Sequence, residues 1–390
     1  MPRTPAAPIL TLAGLGAVLV LAATPVRASG PDRTLFAFPG SLAIPAGAAS
    51  AGVALADRWL GDQPFDNPAF SARRGVELSP ALVDISRQDL RAANRNYVET
   101  GAYVDAAGGW ASMPLGRATL FAYGSQPVLN LDENSFNRGT ATVDPANPPA
   151  RIRSQGDARE IRAGAGLSWG DSTLRLGAAG EWTRRDDRYV VDETSGSPLA
   201  GTLTTTFSGD AVGLQVGARI RRGLSGPHPL TVGLGVRFLP ALTLPARDLF
   251  LPRGPVAPDT TDYAIDRGSS WEGGLSARYG VGETFAMVAA VGAHGEQSWS
   301  GIGAVAGTGA LWSLAGVFHD PETPWTLRFG FGQERQQHTV VTGADLVGLG
   351  LGWQLEGMQL DLGALRRGIR RDGRPTSYDD RVIASLGIAF

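Results

Sequence analysis

The side chains able to carry out a reaction are few and poorly placed for one. The chain holds four histidines, His228, His294, His319 and His338, and no cysteine. Without cysteine there is no thiol nucleophile, no thiolate metal site and no disulfide. The histidines are scattered, with none of the short spacings that gather metal ligands on one element. Ser298 stands near His294, but a serine nucleophile needs a base and an orienting carboxylate or amide, and this spacing specifies neither. The Gly-x-Gly runs sit inside alternating segments, not between a strand and a helix, so they do not cradle phosphate. No enzyme activity, cofactor or metal is expected. The charged groups that do recur are arginines: Arg162, Arg175, Arg219, Arg237, Arg278, Arg328 and Arg367 share one face of their segments with Glu181, Glu272 and Asp361. They could bind a ligand carboxylate, or they could form ion pairs in a hydrated interior; the second reading is the simpler one.

Those residues ride on segments with a period of two. In 161–169, Ile161, Ala163, Ala165, Leu167 and Trp169 face one way and Arg162, Gly164, Gly166 and Ser168 the other. The same pattern recurs at 174–183, 212–221, 230–238, 325–332, 347–355 and 358–367. Strict alternation marks strands that are apolar on one side only. The apolar face often ends in Trp or Phe, as at Trp169, Trp182, Phe238, Trp271 and Trp353, and the segments approach the roughly ten residues of a tilted spanning strand. Short turns at 114–116, 170–172, 222–229, 280–283, 320–324 and 356–357 alternate with longer links near 87–100, 129–157, 184–201, 241–261, 298–304, 335–339 and 371–378. This predicts an all-β fold: a transmembrane antiparallel barrel of about fourteen strands, with both termini at the short-turn, periplasmic end. The last strand ends on Phe390; Val382, Ala384, Leu386 and Ile388 share a face, and Ile383 is a misfit on the other. Phe390 is expected to serve the barrel assembly machinery as a signal.

The net charge of -2 gives no reason to expect a nucleic-acid partner, and every basic residue is arginine. A mean hydropathy of -0.05 argues against a helical membrane protein but not against a barrel. Residues 1–28 read as a signal peptide: Arg3, an apolar run from Ile9 to Ala22, then Val26-Arg27-Ala28 before Ser29. The barrel proper is expected over 75–390. Between them, 29–74 does not alternate; it is rich in small residues, with one helical turn expected at Ala51–Leu60 and a turn at Asp66–Ala69. The inward glycines Gly164, Gly166, Gly233, Gly235, Gly348, Gly350 and Gly352 either make room for this segment or ease strand curvature.

The order of a small-residue run, Val53-Ala54-Leu55-Ala56-Asp57, then Asn67-Pro68-Ala69, then a first strand resembles the FadL/OmpP1 family of outer-membrane transporters, and the related PorV-type barrels. Arg58-Trp59-Leu60 and Pro64-Phe65-Asp66 stand where the family carries an acidic pair and an aromatic. The resemblance implies that 29–74 is a hatch inside the lumen, with Asn67, Pro68 and Ala69 in it. It implies passive transport of hydrophobic small molecules such as long-chain fatty acids or hydrocarbons across the outer membrane of a Gram-negative-type bacterium. A scaffold or secretion role like that of the PorV branch, or a general porin, is the alternative. The expected partners are membrane lipid and a hydrophobic ligand, and the expected state is a monomer. Two local features fit transport. The link 241–261 carries Leu244, Leu249, Phe250 and Leu251, an apolar patch of the kind that marks a binding surface. The third strand breaks at Gly124-Ser125-Gln126-Pro127, where proline forces a bulge or kink; the resemblance puts a lateral window there.

Overall fold

The computed structural model describes residues 48–70, 77–90, 99–105, 108–138, 150–195, 201–254, 257–299, 304–338, 341–371 and 374–389. The expected signal peptide, residues 29–47 and Phe390 lie outside them. A short helix α1 (Ala48–Gly52) is followed by strands alone. In chain order these are β1 (Glu77–Leu90), β2 (Glu99–Asp105), β3 (Gly108–Leu115), β4 (Ala118–Arg138), β5 (Ala150–Gly170), β6 (Leu174–Ser195), β7 (Gly201–Arg222), β8 (Leu230–Leu239) and β9 (Leu242–Pro252). Then come β10 (Asp259–Arg267), β11 (Ser270–Val281), β12 (Phe285–His294), β13 (Gln297–Trp299), β14 (Ala304–His319), β15 (Trp325–His338), β16 (Val341–Leu355), β17 (Met358–Arg371) and β18 (Arg374–Ala389).

All ladders are antiparallel and join strands into one sheet. β2 and β3 both pair with β1 in a single register, so they form one pass. β8 with β9, β10 with β11 and β12 with β13 are likewise single passes, each interrupted once. The eighteen segments therefore make fourteen passes. The order also returns to its start: β18 pairs with β1 from Ala389↔Glu77 to Ser377↔Leu90. Both ends of the sheet thus lie at the short-turn end.

The two faces differ as lipid and a packed interior would require. One carries exposed Leu167, Trp169, Leu214, Leu234, Leu275, Phe331, Leu349 and Leu362, among many others. Trp325 and Trp353 stack at 5.4 Å at its short-turn border. An apolar face exposed strand after strand marks a surface that meets something other than water. The opposite face, called inner here, carries the segment 48–70. That segment meets strands all round the sheet, from Phe121 on β4 to the backbone of Gly363 on β17. The misfit of the last strand is explained by this contact: Ile383 is fully buried in a cluster with Ala48, Ala51, Leu346 and Leu365. Inward apolar residues on β14, β16, β17 and β18 mark where the inner face is dry.

Two expectations need correction. The helical turn is Ala48–Gly52, ahead of the expected 51–60; at Ala54 and Leu55 the chain turns into left-handed backbone, φ 48° and 69°, which no helix continues through. The longer links are mostly strand. β4 to β7 run 21 or 22 residues, roughly twice a spanning strand, and 241–261 is largely the hairpin β9–β10, paired from Leu242↔Arg267 to Phe250↔Asp259. Above the apolar band the outward face turns polar, with Arg184, Asp186 and Arg188 on β6 and Thr206 and Ser208 on β7, so the alternation that reveals a strand fades. Pairing persists because β-branched residues such as Thr202, Thr204, Thr205 and Thr206 still favour it.

Candidate functional site

An irregular segment packed against the inner face of a sheet has backbone groups that water does not reach, and each must find a partner. The inner face supplies side chains for this purpose. Ser313 donates to the Ala54 carbonyl at 2.6 Å, and Ser276 accepts from the Trp59 amide at 3.1 Å. Arg219 donates to Gly61 O at 2.8 Å, and Gln215 to Phe65 O at 2.9 Å. Arg237 also donates to Phe65 O, and Ser168 to Phe70 O. Close approach is allowed by glycine. A Cβ at Gly348 would meet Ala54 N at 2.6 Å, and one at Gly330 would meet the Val53 carbonyl at 2.5 Å. Gly233 and Gly235 face the carbonyls of Trp59 and Asp66 in the same way, whereas Gly164, Gly166 and Gly352 make room for Tyr123, Phe121 and the Arg328–Asp361 pair.

The expected Asn-Pro-Ala turn is a keystone of the segment. Asn67 is fully buried. Its amide nitrogen donates to Trp59 O at 2.6 Å and to Ala218 O on β7 at 3.2 Å, and its oxygen accepts from the Ala69 amide at 2.9 Å. Pro68 lies against Gly177 of β6, and Ala69 is fully buried.

Beside this turn lies a buried charge network. Arg237 pairs with Glu181 at 3.0 Å, with Asp66 of the inner segment at 3.3 Å, and with Glu272. Arg162 pairs with Glu160 at 2.9 Å and Glu272 at 3.2 Å. Arg58 of the inner segment pairs with Asp66 at 2.9 Å. Arg185 and Arg267 reach Glu160 as well, each at 3.6 Å. Charges this deep are tolerable only because each is matched, and removing one partner costs about 3–5 kcal/mol. Of the seven arginines singled out from sequence, Arg162 and Arg237 meet at Glu272, while Arg175 donates to Ser168, Arg278 pairs with Asp62 and Arg367 with Glu334. Arg219 is occupied by the inner segment's backbone, and Arg328 pairs separately with Asp361 at 2.7 Å. Arg58, Asp66, Glu160 and Arg185 were not singled out. The i, i+2 spacing of Glu160 with Arg162, and of Arg185 with Asp187, was the available signal, since it puts opposite charges on one face.

The network leads to β4. Tyr123 donates to Glu181 at 2.5 Å, and Phe65 meets its ring edge-on at 5.7 Å. Phe70 packs against Trp110 at 4.7 Å and Phe121 at 6.3 Å. Just beyond, the β4–β5 register shifts between Ser125 and Val128, at Gln126-Pro127. Gly124 still pairs regularly with Gly109 and Ala163. β3 accompanies β4 only as far as Gly108↔Ser125, and among the described residues no ladder joins β2 to β4 beyond that point. A gap in the backbone ladder thus begins at the expected bulge of the third pass.

The other expected residues divide. Leu244 is fully buried on the inner face with Phe207, Leu242, Ala246 and Ile265. Leu249 and Phe250 are half-buried near the hairpin tip, and Leu251 is exposed. They lie on a strand, not on the loop expected from sequence. At the short-turn end a cavity of about 660 Å³ separates the inner segment from the sheet, lined by Asp57, Asp62, Phe65, Trp110, Arg278 and Val317 among others. Burial raises the Asp57 carboxyl above its usual range, against the pull of Arg278 and of Ser50, and Asp62 adds to the rise. Its Oδ1 atom is buried without a hydrogen-bond partner. Among the described residues no group of His, Asp and Glu could hold a metal ion.

No protein-family model matches the chain, and no curated protein sequence does. Solved structures do. A FadL homologue of Pseudomonas aeruginosa aligns over 88% of this chain and 98% of its own at 13% identity, with a TM-score of 0.63. The toluene transporter TbuX of Ralstonia pickettii aligns over 83% and 92% at 12% identity, TM-score 0.54. The toluene transporter TodX of Pseudomonas putida aligns over 91% and 99% at 14% identity, TM-score 0.53. The chain has the fold of FadL-type transporters over most of its length, as its sequence resemblance implied.

Proposed function

We propose that this chain is a FadL-type passive channel for hydrophobic small molecules in a bacterial outer membrane. In this reading the fourteen passes form a closed, membrane-spanning barrel, and residues 29–74 are its hatch. The apolar outer face supports the membrane setting, because a barrel pairs every backbone polar group that lipid cannot satisfy. The toluene carried by TbuX and TodX makes monoaromatic hydrocarbons the first substrates to try, with long-chain fatty acids beside them.

The observation that carries the reading is a filled interior beside a broken ladder. A solute entering from the long-hairpin end meets the segment 48–70 and a dry ion-pair network. An apolar molecule offers those charges nothing in exchange, so passage straight through is costly. The gap beyond Ser125 offers an exit sideways into lipid, where an apolar molecule is stable. Leu249, Phe250 and Leu251 near the β9 tip supply a first contact for it.

The test is uptake of toluene and of a long-chain fatty acid into liposomes holding the purified protein. Uptake should exceed that of empty liposomes, and should change on deletion of residues 31–70 and on Phe250→Asp. If neither variant changes it, the transport reading fails. Stoichiometric protein partners recovered without any uptake would favour a scaffold.

A further inference from the structure

Above the apolar band, the outward face of β5, β6, β7, β9 and β10 holds a hollow of about 700 Å³. Alternation assigns the residues that point into it from outside. On β6 the outward set continues from Leu174 and Leu176 through Trp182 and Arg184 to Asp186 and Arg188. On β7 it runs from Leu214 and Val212 to Ser208 and Thr206. On β9 and β10 it includes Arg247 and Asp262. Ladder pairing puts Arg188, Thr206, Arg247 and Asp262 in one row across four adjacent strands. That row stands six residues beyond Trp182 and Val212, the last apolar pair of the band on β6 and β7.

The charges in this row are unequal. Arg247 is held by Asp262 in a two-point contact at 2.6 and 3.1 Å, and both are well exposed. Asp186 is held by Arg184 at 2.8 Å. Arg188 is exposed, and among the described residues it has no ion pair or hydrogen bond. Thr206 and Ser208 add hydroxyl donors beside it. Arg159 of β5 also lines the hollow; with Arg188 uncommitted, the guanidiniums of Arg188 and Arg247 and the two hydroxyls match the oxygens of a phosphate. Below the row the outward face carries Asp186, Arg184, Ser208 and Asp210 before it turns apolar at Trp182 and Val212.

We propose that this hollow binds a phosphate of a lipid A-type glycolipid in the outward leaflet, through Arg188 and Arg247, above the band that ends at Trp182 and Val212. An acidic headgroup at this height gains charge-assisted hydrogen bonds without burying any protein charge. The inference rests on the barrel being membrane-spanning, but not on what it transports. Because the pairing is solvent-exposed, binding should weaken as salt rises.

Native mass spectrometry of the detergent-purified protein, with bisphosphorylated and dephosphorylated lipid A as probes, tests it. The protein should retain the phosphorylated form at least tenfold more strongly, and Arg188→Ala with Arg247→Ala should abolish that preference. Equal retention of both lipids, or a preference unchanged in the double variant, overturns the proposal. Arg222→Ala, a basic residue at the opposite, short-turn end, serves as the control that should change nothing. Insertion into phospholipid bilayers is scored in parallel. Loss of insertion would sink the membrane reading itself, whereas normal insertion without lipid A preference sinks only this site.

Discussion

The residue whose local chemistry bears most directly on how the inner segment is seated is Asp57. It lies in the inner segment, lines the short-turn cavity, and has one carboxylate oxygen buried without a donor. Burial is the largest influence on it and raises its affinity for a proton; Arg278, Ser50 and Arg328 oppose this, and Asp62 reinforces it. The seated segment therefore binds this proton more tightly than an unseated one with an ordinary carboxylate value of about 3.9. Seating is then fully supported below that value and loses support as pH rises through the raised one. The expected outcome is a protection factor of residues 48–70, corrected for the intrinsic pH dependence of amide exchange, that falls with rising pH across that window. Asp57→Asn, which stays neutral, should remove the fall and hold the low-pH protection throughout. An unchanged pH profile in the variant would assign the effect elsewhere. Arg237 is the contrasting case: it contacts Asp66, Glu181 and Glu272 together, and its loss strips Glu181 of its cation while Arg58 still holds Asp66 and Arg162 still holds Glu272.

At the scale of elements, the bulge of β4 sets where the ladder opens. Between Ser125↔Arg162 and Val128↔Glu160, β4 has one residue more than β5. An extra residue bends and twists its strand, and Pro127 has no amide to donate. Deleting Pro127 should restore an even β4–β5 ladder and slow liposomal uptake of toluene several-fold while leaving bilayer insertion intact; undiminished uptake would detach transport from the bulge. This bulge could be read in sequence because Gly-Ser-Gln-Pro is incompatible with a regular central strand. The apolar band was equally legible, since lipid imposes a strict period of two on residues such as Val347, Leu349 and Leu351. The tall hairpins were not. In segments such as 184–188 charged residues stand on both faces, so no apolar alternation separates strand from loop. The charge network was half legible: the wall arginines betray themselves by parity, but Arg58 and Asp66 belong to an irregular segment with no period to read.

Taken as a whole, the molecule is a sheet whose order returns on itself around a segment that its inner face was shaped to receive. The fit is a matter of backbone against backbone. Ala48 lies on Gly363, Gly52 on Gly350 and Val53 on Gly330, all on the β15–β17 side, while Asn67 and Phe70 hold the far end against β7 and β5. Hydrogen bonds and ion pairs cluster at that far end, whereas the α1 end is held mainly by apolar contact with Ala51, Leu346, Leu365 and Ile383. Apolar contact lacks direction, so the α1 end can slide where the Asn67 end cannot. If transport needs the segment to move, the movement should begin at α1. The chain has no cysteine, so an engineered pair reports cleanly. Ala51→Cys with Leu365→Cys joins α1 to β17 at two positions that already carry side chains in one buried cluster, so no new Cβ is forced against backbone. Oxidised, the pair should suppress ion conductance and solute uptake below those of the unmodified protein, and reduction should restore both. Uptake that persists with the disulfide formed would mean that solutes pass without displacing α1, and that the lateral gap alone is the route.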